Sequence, residues 1–449
     1  MNPIIPTVFA ADPAAHVWPG DERLWLYTSH DQPGTNTHDS MVSYHVFSTS
    51  DLVHWTDYGP VLHLKDVRWA ISHLWAIDAV LWRGAYFLVY CAVERESGEF
   101  RVGLARSARP QGPFEDIGFV QGTGLAQDPS LFVDHDGTPY LFWGQGGACG
   151  ACRLSDDLLS AVPGTVVDLT PQLDWIFEAP WVHHYQGKYY LSYPGLFEGR
   201  WPERMYYATA DHPLGPYRFQ GEYIPVFPGQ AGTNHGSIIH YKGRWLAFHH
   251  SMWLSGLSEC RSLMCDPLRY DDAGRILPIV PTAAGATVPG GPVGLSRVTL
   301  QLDAACAPLA CGQHHDVRVS TERPGHLGPG YVTGFERRYS GVTFMAQSGH
   351  DSTWRLKIRY CSPGGPENLK VLVNNRTLLD DPAQSEPRWD KHLPLPATSH
   401  WTVHDCGPVQ LRAGDNTLKF YTWTGARGGL SLDRIWLEAV SPAPAARGG

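Results

Sequence analysis

Five short aromatic strands, each entered through a turn glycine, recur along the first part of the chain. They are Arg23–Tyr27 after Gly20, Ala85–Tyr90 after Gly84, Pro139–Trp143 after Gly137, Lys188–Tyr193 after Gly187 and Arg244–Phe248 after Gly243. Their spacing, roughly 50 to 60 residues, is close to that of propeller blades. Further alternating segments lie between them, at Met41–Phe47, Val102–Arg106 and Met205–Thr209, followed by turn-rich stretches at Ala108–Phe114 and Asp211–Tyr217. Hardly any stretch repeats its apolar residues with the 3.6-residue period of a helix. A repeat of this kind cannot bury its own faces and must stack on its neighbours. The expectation is an all-β fold, with a five-bladed β-propeller over residues 1–285.

Ahead of each inner strand stands a polar residue in a short apolar segment: Asp12, Asp78, Asp128, Glu178 and His235. The first strand of each propeller blade lines the central axis, so these five slots are expected to converge. Four carboxylates aimed at one place repel one another, and a stable fold tolerates that only for catalysis or a bound cation.

A Pro-, Gly- and Ala-rich linker follows at Pro281–Gly294. Residues 295–440 again alternate like strands, at Val342–Phe344, Trp354–Tyr360, Leu369–Val373, Thr417–Tyr421 and Leu430–Trp436. That pattern predicts a β-sandwich of jelly-roll type. The tail Pro442–Gly449 is expected to be disordered.

Composition narrows the function classes. The 449 residues include 17 Trp, 20 Tyr and 47 Gly, a richness in flat rings and turns that suits sugar binding. The net charge of −9 speaks against nucleic-acid and anionic-membrane partners. No apolar run long enough for a transmembrane helix occurs. No apolar leader precedes Asn2-Pro3, which reads as a cytoplasmic protein, or as a secreted or periplasmic one whose leader has been removed. Cys149 and Cys152 have CxxC spacing without a second such pair, so free or locally paired thiols are favoured over a zinc or redox site.

The slot residues sit in motifs that resemble glycoside hydrolase family 43. The matching segments are Asn2–Pro6 with Ala11-Asp12-Pro13, Trp75-Ala-Ile-Asp78, Asp128–Asp134 with Asp136-Gly137, and Glu178-Ala-Pro-Trp181 with Gly187–Tyr190. The resemblance implies an inverting mechanism with Asp12 as general base, Glu178 as general acid and Asp128 tuning the acid. It implies that His235 sits near an axial calcium or sodium ion, directly or through water, and it implies no organic cofactor. Asp78 is expected either to contact sugar hydroxyls or to cap its strand. Arg261 is expected either to contact substrate or to pair with a carboxylate. Trp75 is the first choice for a stacking wall, with Trp143 and Trp181 behind it.

Residues 295–440 are similar to family 6 carbohydrate-binding modules through Gly330–Gly334, Leu356–Tyr360, Trp401, Gly414–Leu418 and Gly428–Asp433. Thr398 and Ser431 depart from that family's sugar-binding cleft, which leaves Trp423 as a substitute platform and a purely structural domain as the alternative. The partner implied is an oligo- or polysaccharide. The activity implied is an exo-acting α-L-arabinofuranosidase on arabinoxylan or arabinan side chains. β-Xylosidase comes second, galactofuranosidase or exo-galactanase third, and a non-catalytic glycan-binding propeller is the rival from another class.

Overall fold

The structure is a computed structural model, and it describes residues 2–32, 38–286, 296–307, 309–310, 317–374, 376–377 and 392–440. The expected linker passes outside the described residues at 287–295, and the expected disordered tail lies outside them. The chain divides at Ser296–Arg297 into two compact units.

The first unit carries five consecutive antiparallel sheets, one for each aromatic repeat. Their first strands are Ala10–Val17, Ile77–Trp82, Ser130–Val133, Trp181–Tyr185 and Ser237–Tyr241, and the aromatic repeats form the second strands. In three blades the turn between these strands has two residues with positive φ: Arg83-Gly84, Gln186-Gly187 and Lys242-Gly243. They close the pairs Trp82–Ala85, Tyr185–Lys188 and Tyr241–Arg244. A two-residue loop of this type matches the twist of the strands it joins, which is why glycine stands at its second place.

The apolar residues fill the spaces between neighbouring blades. Val89, Leu104, Leu141, Trp143 and Cys152 form one such layer. Phe142, Cys149, Leu191, Tyr193 and Ala208 form the next. Cys149 and Cys152 therefore leave opposite faces of the strand Ala148–Arg153, and both are free thiols. Their spacing reflects strand packing between two blade interfaces.

The start of the chain is hydrogen-bonded to the fifth blade. Ile4 N–H donates to Leu263 O at 2.9 Å, and Ala10 N–H donates to Arg261 O at 3.0 Å. The Asn2 side chain accepts from Cys265 N–H at 2.8 Å and donates to Asp266 at 2.9 Å. Asp12 and Arg261, far apart in sequence, thereby enter one place.

The second unit is a β-sandwich. One sheet includes Arg297–Asp303, Ser352–Ser362, Thr398–Leu411 and Ser431–Ala439, and the other Gly341–Ser348, Glu367–Val373 and Gly414–Tyr421. The inward residues of both, among them Phe344, Trp354, Ile358, Val371, Phe420 and Leu437, make a common core.

Candidate active site

A cavity of about 360 Å³ is lined by Asp12, Asp128, Glu178, His235 and Arg261, together with Trp75. Four of the five slot residues therefore meet, one each from the first, third, fourth and fifth blades. Asp78 is the exception. Its Oδ1 lies 2.7 Å from His16 Nε2, and its Oδ2 accepts from Leu131 N–H at 2.7 Å. The reason is register. Asp128, Glu178 and His235 stand just before their first strands begin, whereas Asp78 lies inside Ile77–Trp82. Trp75 and Ala76, just before that strand, line the cavity in the second blade.

Asp12 and Asp128 have φ of 52° and 47°, and Ala179, next to Glu178, has 49°. A left-handed backbone is costly for residues with a side chain, and it persists where the surroundings over-determine it. Around Asp12 it coincides with a break in strand register between Ala11 and Ala14. That break turns the carboxylate out of the ladder and into the cavity.

Asp12 is buried and well supplied with partners. Arg261 Nη1 donates to its Oδ1 at 3.0 Å, and the Ser29 hydroxyl donates to its Oδ2 at 2.5 Å. His235 and His250 Nδ1 stand 3.8 and 3.7 Å from Oδ1. Burial by itself would raise the Asp12 carboxyl. The charge of Arg261, then the two imidazoles and the Ser29 hydroxyl, overcome it and hold the group well below the ordinary carboxylate range. His250 accepts Asp12 N–H at its Nδ1, so its Nε2 carries the proton donated to Thr233 O at 3.0 Å. Burial holds its imidazole well below its ordinary value.

Glu178 has the opposite environment. Gln127 Nε2 donates to its Oε2 at 3.4 Å, and no other hydrogen bond to its carboxyl is seen among the described residues. Burial, and then the negative charge of Asp12, push it up to about 7, against the pull of Arg261. Asp128 lies behind it, also touched by Gln127 Nε2 at 3.4 Å and by the Cys91 thiol at 3.8 Å. Burial, then the charges of Glu178 and Asp12, raise Asp128 well above its ordinary value. Asp128 and Glu178 thus titrate as a pair that resists carrying two negative charges.

Arg261 serves carboxylates. Its Nε and Nη2 grip Asp31 at 3.0 and 2.9 Å, and its backbone N–H donates to the same residue at 2.7 Å. Of the two readings open for Arg261, pairing with a carboxylate is the one seen, on the cavity wall. Trp75 lines the cavity and donates to His38 O at 3.0 Å. Trp143 is packed between blades, and Trp181 donates inward to Ile238 O.

Several site residues were not evident from the repeat. His38, Gln127, Gln145 and Thr233 add polar groups to the cavity wall. His38 Nδ1 and Gln145 Oε1 are buried and have no hydrogen-bond partner among the described residues. Glu203 lies fully buried behind the wall and accepts Asn234 N–H at 2.5 Å. Burial, then the charge of Glu178, push it well above its ordinary value. Gly144 is the point where the third blade abuts the acid. A Cβ there would stand 2.7 Å from the carbonyl carbon of Glu178.

Among the described residues no group of three or more His, Cys, Asp or Glu is arranged to hold a metal ion. His235 offers a single imidazole beside Asp12, whereas calcium prefers six to eight oxygens. The side chains present do not amount to a calcium site, and no step below is routed through an ion.

In the second unit Trp401 donates to Pro324 O at 3.0 Å, with the Arg359 guanidinium 5.2 Å from its ring. Trp423 has Arg338 at 4.8 Å and Lys370 at 5.1 Å.

Glycosyl hydrolases family 43 matches residues 1–276. A xylosidase/arabinosidase of Bacteroides ovatus is 32% identical over 62% of this chain and 96% of its own length. Xylosidase/arabinosidase 43A of Humicola insolens is 33% identical over 62% and 98%. A crystal structure of a β-xylosidase/α-arabinofuranosidase from a compost metagenome, bound to xylotriose, aligns with a TM-score of 0.56 at 30% identity, covering 62% of this chain and 97% of that one. The fold of an arabinoxylan arabinofuranohydrolase from Bacillus subtilis covers 97% of this chain and 96% of its own at a TM-score of 0.59 and 23% identity. Five consecutive β-sheet blades, a lowered and a raised carboxyl in one cavity, and relatives matched over nearly their full length agree: the chain belongs to glycosyl hydrolase family 43 and is a glycoside hydrolase.

Proposed function

We propose that this hydrolase works by single displacement with inversion, releasing a terminal α-L-arabinofuranosyl group from arabinoxylan or arabinan side chains. The observation that carries the mechanism is the split between two carboxyls of one cavity. Asp12 is held ionised by Arg261 and its neighbours, while Glu178 is pushed up to about 7. An inverting glycosidase needs such a pair, an ionised base to draw a proton from water and a neutral acid to protonate the leaving oxygen. Asp12 and Glu178 line one cavity of about 360 Å³, which supports room for a sugar and a water. Asp128 shares the burden of negative charge with Glu178 and so keeps a proton available there. The polar residues Gln127 and Thr233 and the Trp75 ring line the same cavity and suit the hydroxyls and apolar face of the sugar.

β-Xylosidase is the second reading, favoured by relatives whose names join xylosidase with arabinosidase and by one named β-xylosidase. Galactofuranosidase follows, from a relative of that name in Aspergillus niger. For the C-terminal sandwich the rings of Trp401 and Trp423 are both flanked by cations, Arg359 on the first and Arg338 and Lys370 on the second, which favours a structural role over sugar binding.

Turnover of aryl α-L-arabinofuranoside, β-xyloside and β-galactofuranoside by the wild type tests the sugar, and proton NMR of the first-formed anomer tests inversion. Glu178→Ala should regain activity on substrates with good leaving groups, which need no proton, and Asp12→Ala should not. Equal rescue of both would overturn the acid and base assignments.

A further inference from the structure

The fourth blade carries an unusual surface beside the cavity. Trp201 is 55% exposed, Trp175 40% and Phe197 37%. They form two ring pairs: Trp175 and Phe197 have centroids 5.0 Å apart, and Phe177 and Trp201 are 5.2 Å apart at 76°. Large rings exposed together, rather than singly, mark a contact surface. Phe177 belongs to both places, because it lines the cavity and packs against Trp201.

The two loops that hold these rings are tied to each other. Phe177 N–H donates to Pro194 O at 3.1 Å and Leu196 N–H to Trp175 O at 2.9 Å, with Ile176 bridged to Gly195. Glu178 is the next residue along. A general acid stands on the side of the bond where the leaving group departs. Phe177, next to Glu178 in the chain, joins the acid's side of the cavity to these rings.

We infer that Trp201, Phe177, Trp175 and Phe197 form a platform for the leaving-group chain, a run of neutral pyranose units such as a xylan backbone. This rests on the acid role of Glu178. Flat rings suit the apolar faces of pyranoses. Arg200 is paired with Glu198 at 3.4 Å and Arg204 with Glu222 at 3.0 Å, and the exposed Asp174 beside Trp175 adds a negative charge, which together favour a neutral chain over a uronate-bearing one.

The test compares two substrates in wild type, Trp201→Ala and Phe197→Ala: an aryl glycoside of the sugar that the enzyme releases, and an arabinoxylan-derived or xylo-oligosaccharide that ends in that sugar. The platform predicts that the ratio of kcat/KM on the oligosaccharide to kcat/KM on the aryl glycoside falls about tenfold in Trp201→Ala, with a smaller fall in Phe197→Ala. A ratio unchanged in both variants overturns the platform, as does a larger loss on the aryl glycoside. A wild type inactive on every glycoside would instead remove the acid role of Glu178, and the platform with it.

Discussion

Arg261 Nη1 stands 3.0 Å from Asp12 Oδ1 while the rest of the guanidinium is committed to Asp31. The base is therefore held ionised by an arginine that is itself anchored, so its charge cannot swing away when substrate enters. Removing one partner of a buried ion pair costs about 3–5 kcal/mol. Arg261→Met is expected to lower stability by that order, read by denaturant unfolding. Arg261→Lys, lacking the planar fork, should retain more stability yet lose kcat.

The pH profile follows from the two carboxyls. Glu178 must be protonated to act as an acid, so kcat/KM should fall as pH rises through about 7. Asp12 must be ionised, and its group is depressed, so the acid limb should lie below the ordinary carboxylate range. On an aryl glycoside with a good leaving group the alkaline limb should weaken, because proton donation no longer matters. A rate that instead climbs through neutral pH would reverse the assignments.

Glu203 connects pH to stability. Its folded-state affinity for a proton is raised above the usual value of 4.5, so its stabilising contribution is present below that pH and is lost as pH rises above it. Glu203→Gln stays neutral and keeps an acceptor for Asn234 N–H. It should show a smaller loss of melting temperature between pH 5 and pH 9 than the wild type. Glu203→Ala leaves that buried N–H without a partner, at a cost of about 1–3 kcal/mol.

Gly144 is where packing decides chemistry. A methyl group there meets the backbone of Glu178 and Ala179 at 2.7–2.8 Å, and backbone has no flexible end to yield. Gly144→Ala should cost about 1–3 kcal/mol as overpacking does. It should also lower kcat by more than it raises KM, because the acid is displaced.

Asp12, Asp128 and Glu178 are legible because the glycine-turn repeat offers five equivalent positions, and four of them hold carboxylates, with Asp78 the fourth. Asp78 shares the pattern in sequence but sits in an unbroken ladder, whereas Asp12, also inside its strand, is turned out by the register break between Ala11 and Ala14. Periodicity at blade length is too coarse to show where such a break falls. Arg261 was visible as a candidate, but its hold on Asp31 was not, because that contact joins opposite ends of the unit. Glu203 and Gly144 fall outside the repeated slots. Their importance comes from the closeness of neighbouring blades, a tertiary property with no local signal.

Phe177 and Glu178 are consecutive residues of one short segment, stitched to the next loop by the Ile176–Gly195 bridge. A change in the length of that loop would re-aim the proton donor at the same time as it reshaped the surface outside the cavity. Substrate range in this blade is therefore free to drift through ring-for-ring exchanges at Trp201 or Phe197. Insertions between Pro194 and Glu203 are the changes it can least absorb.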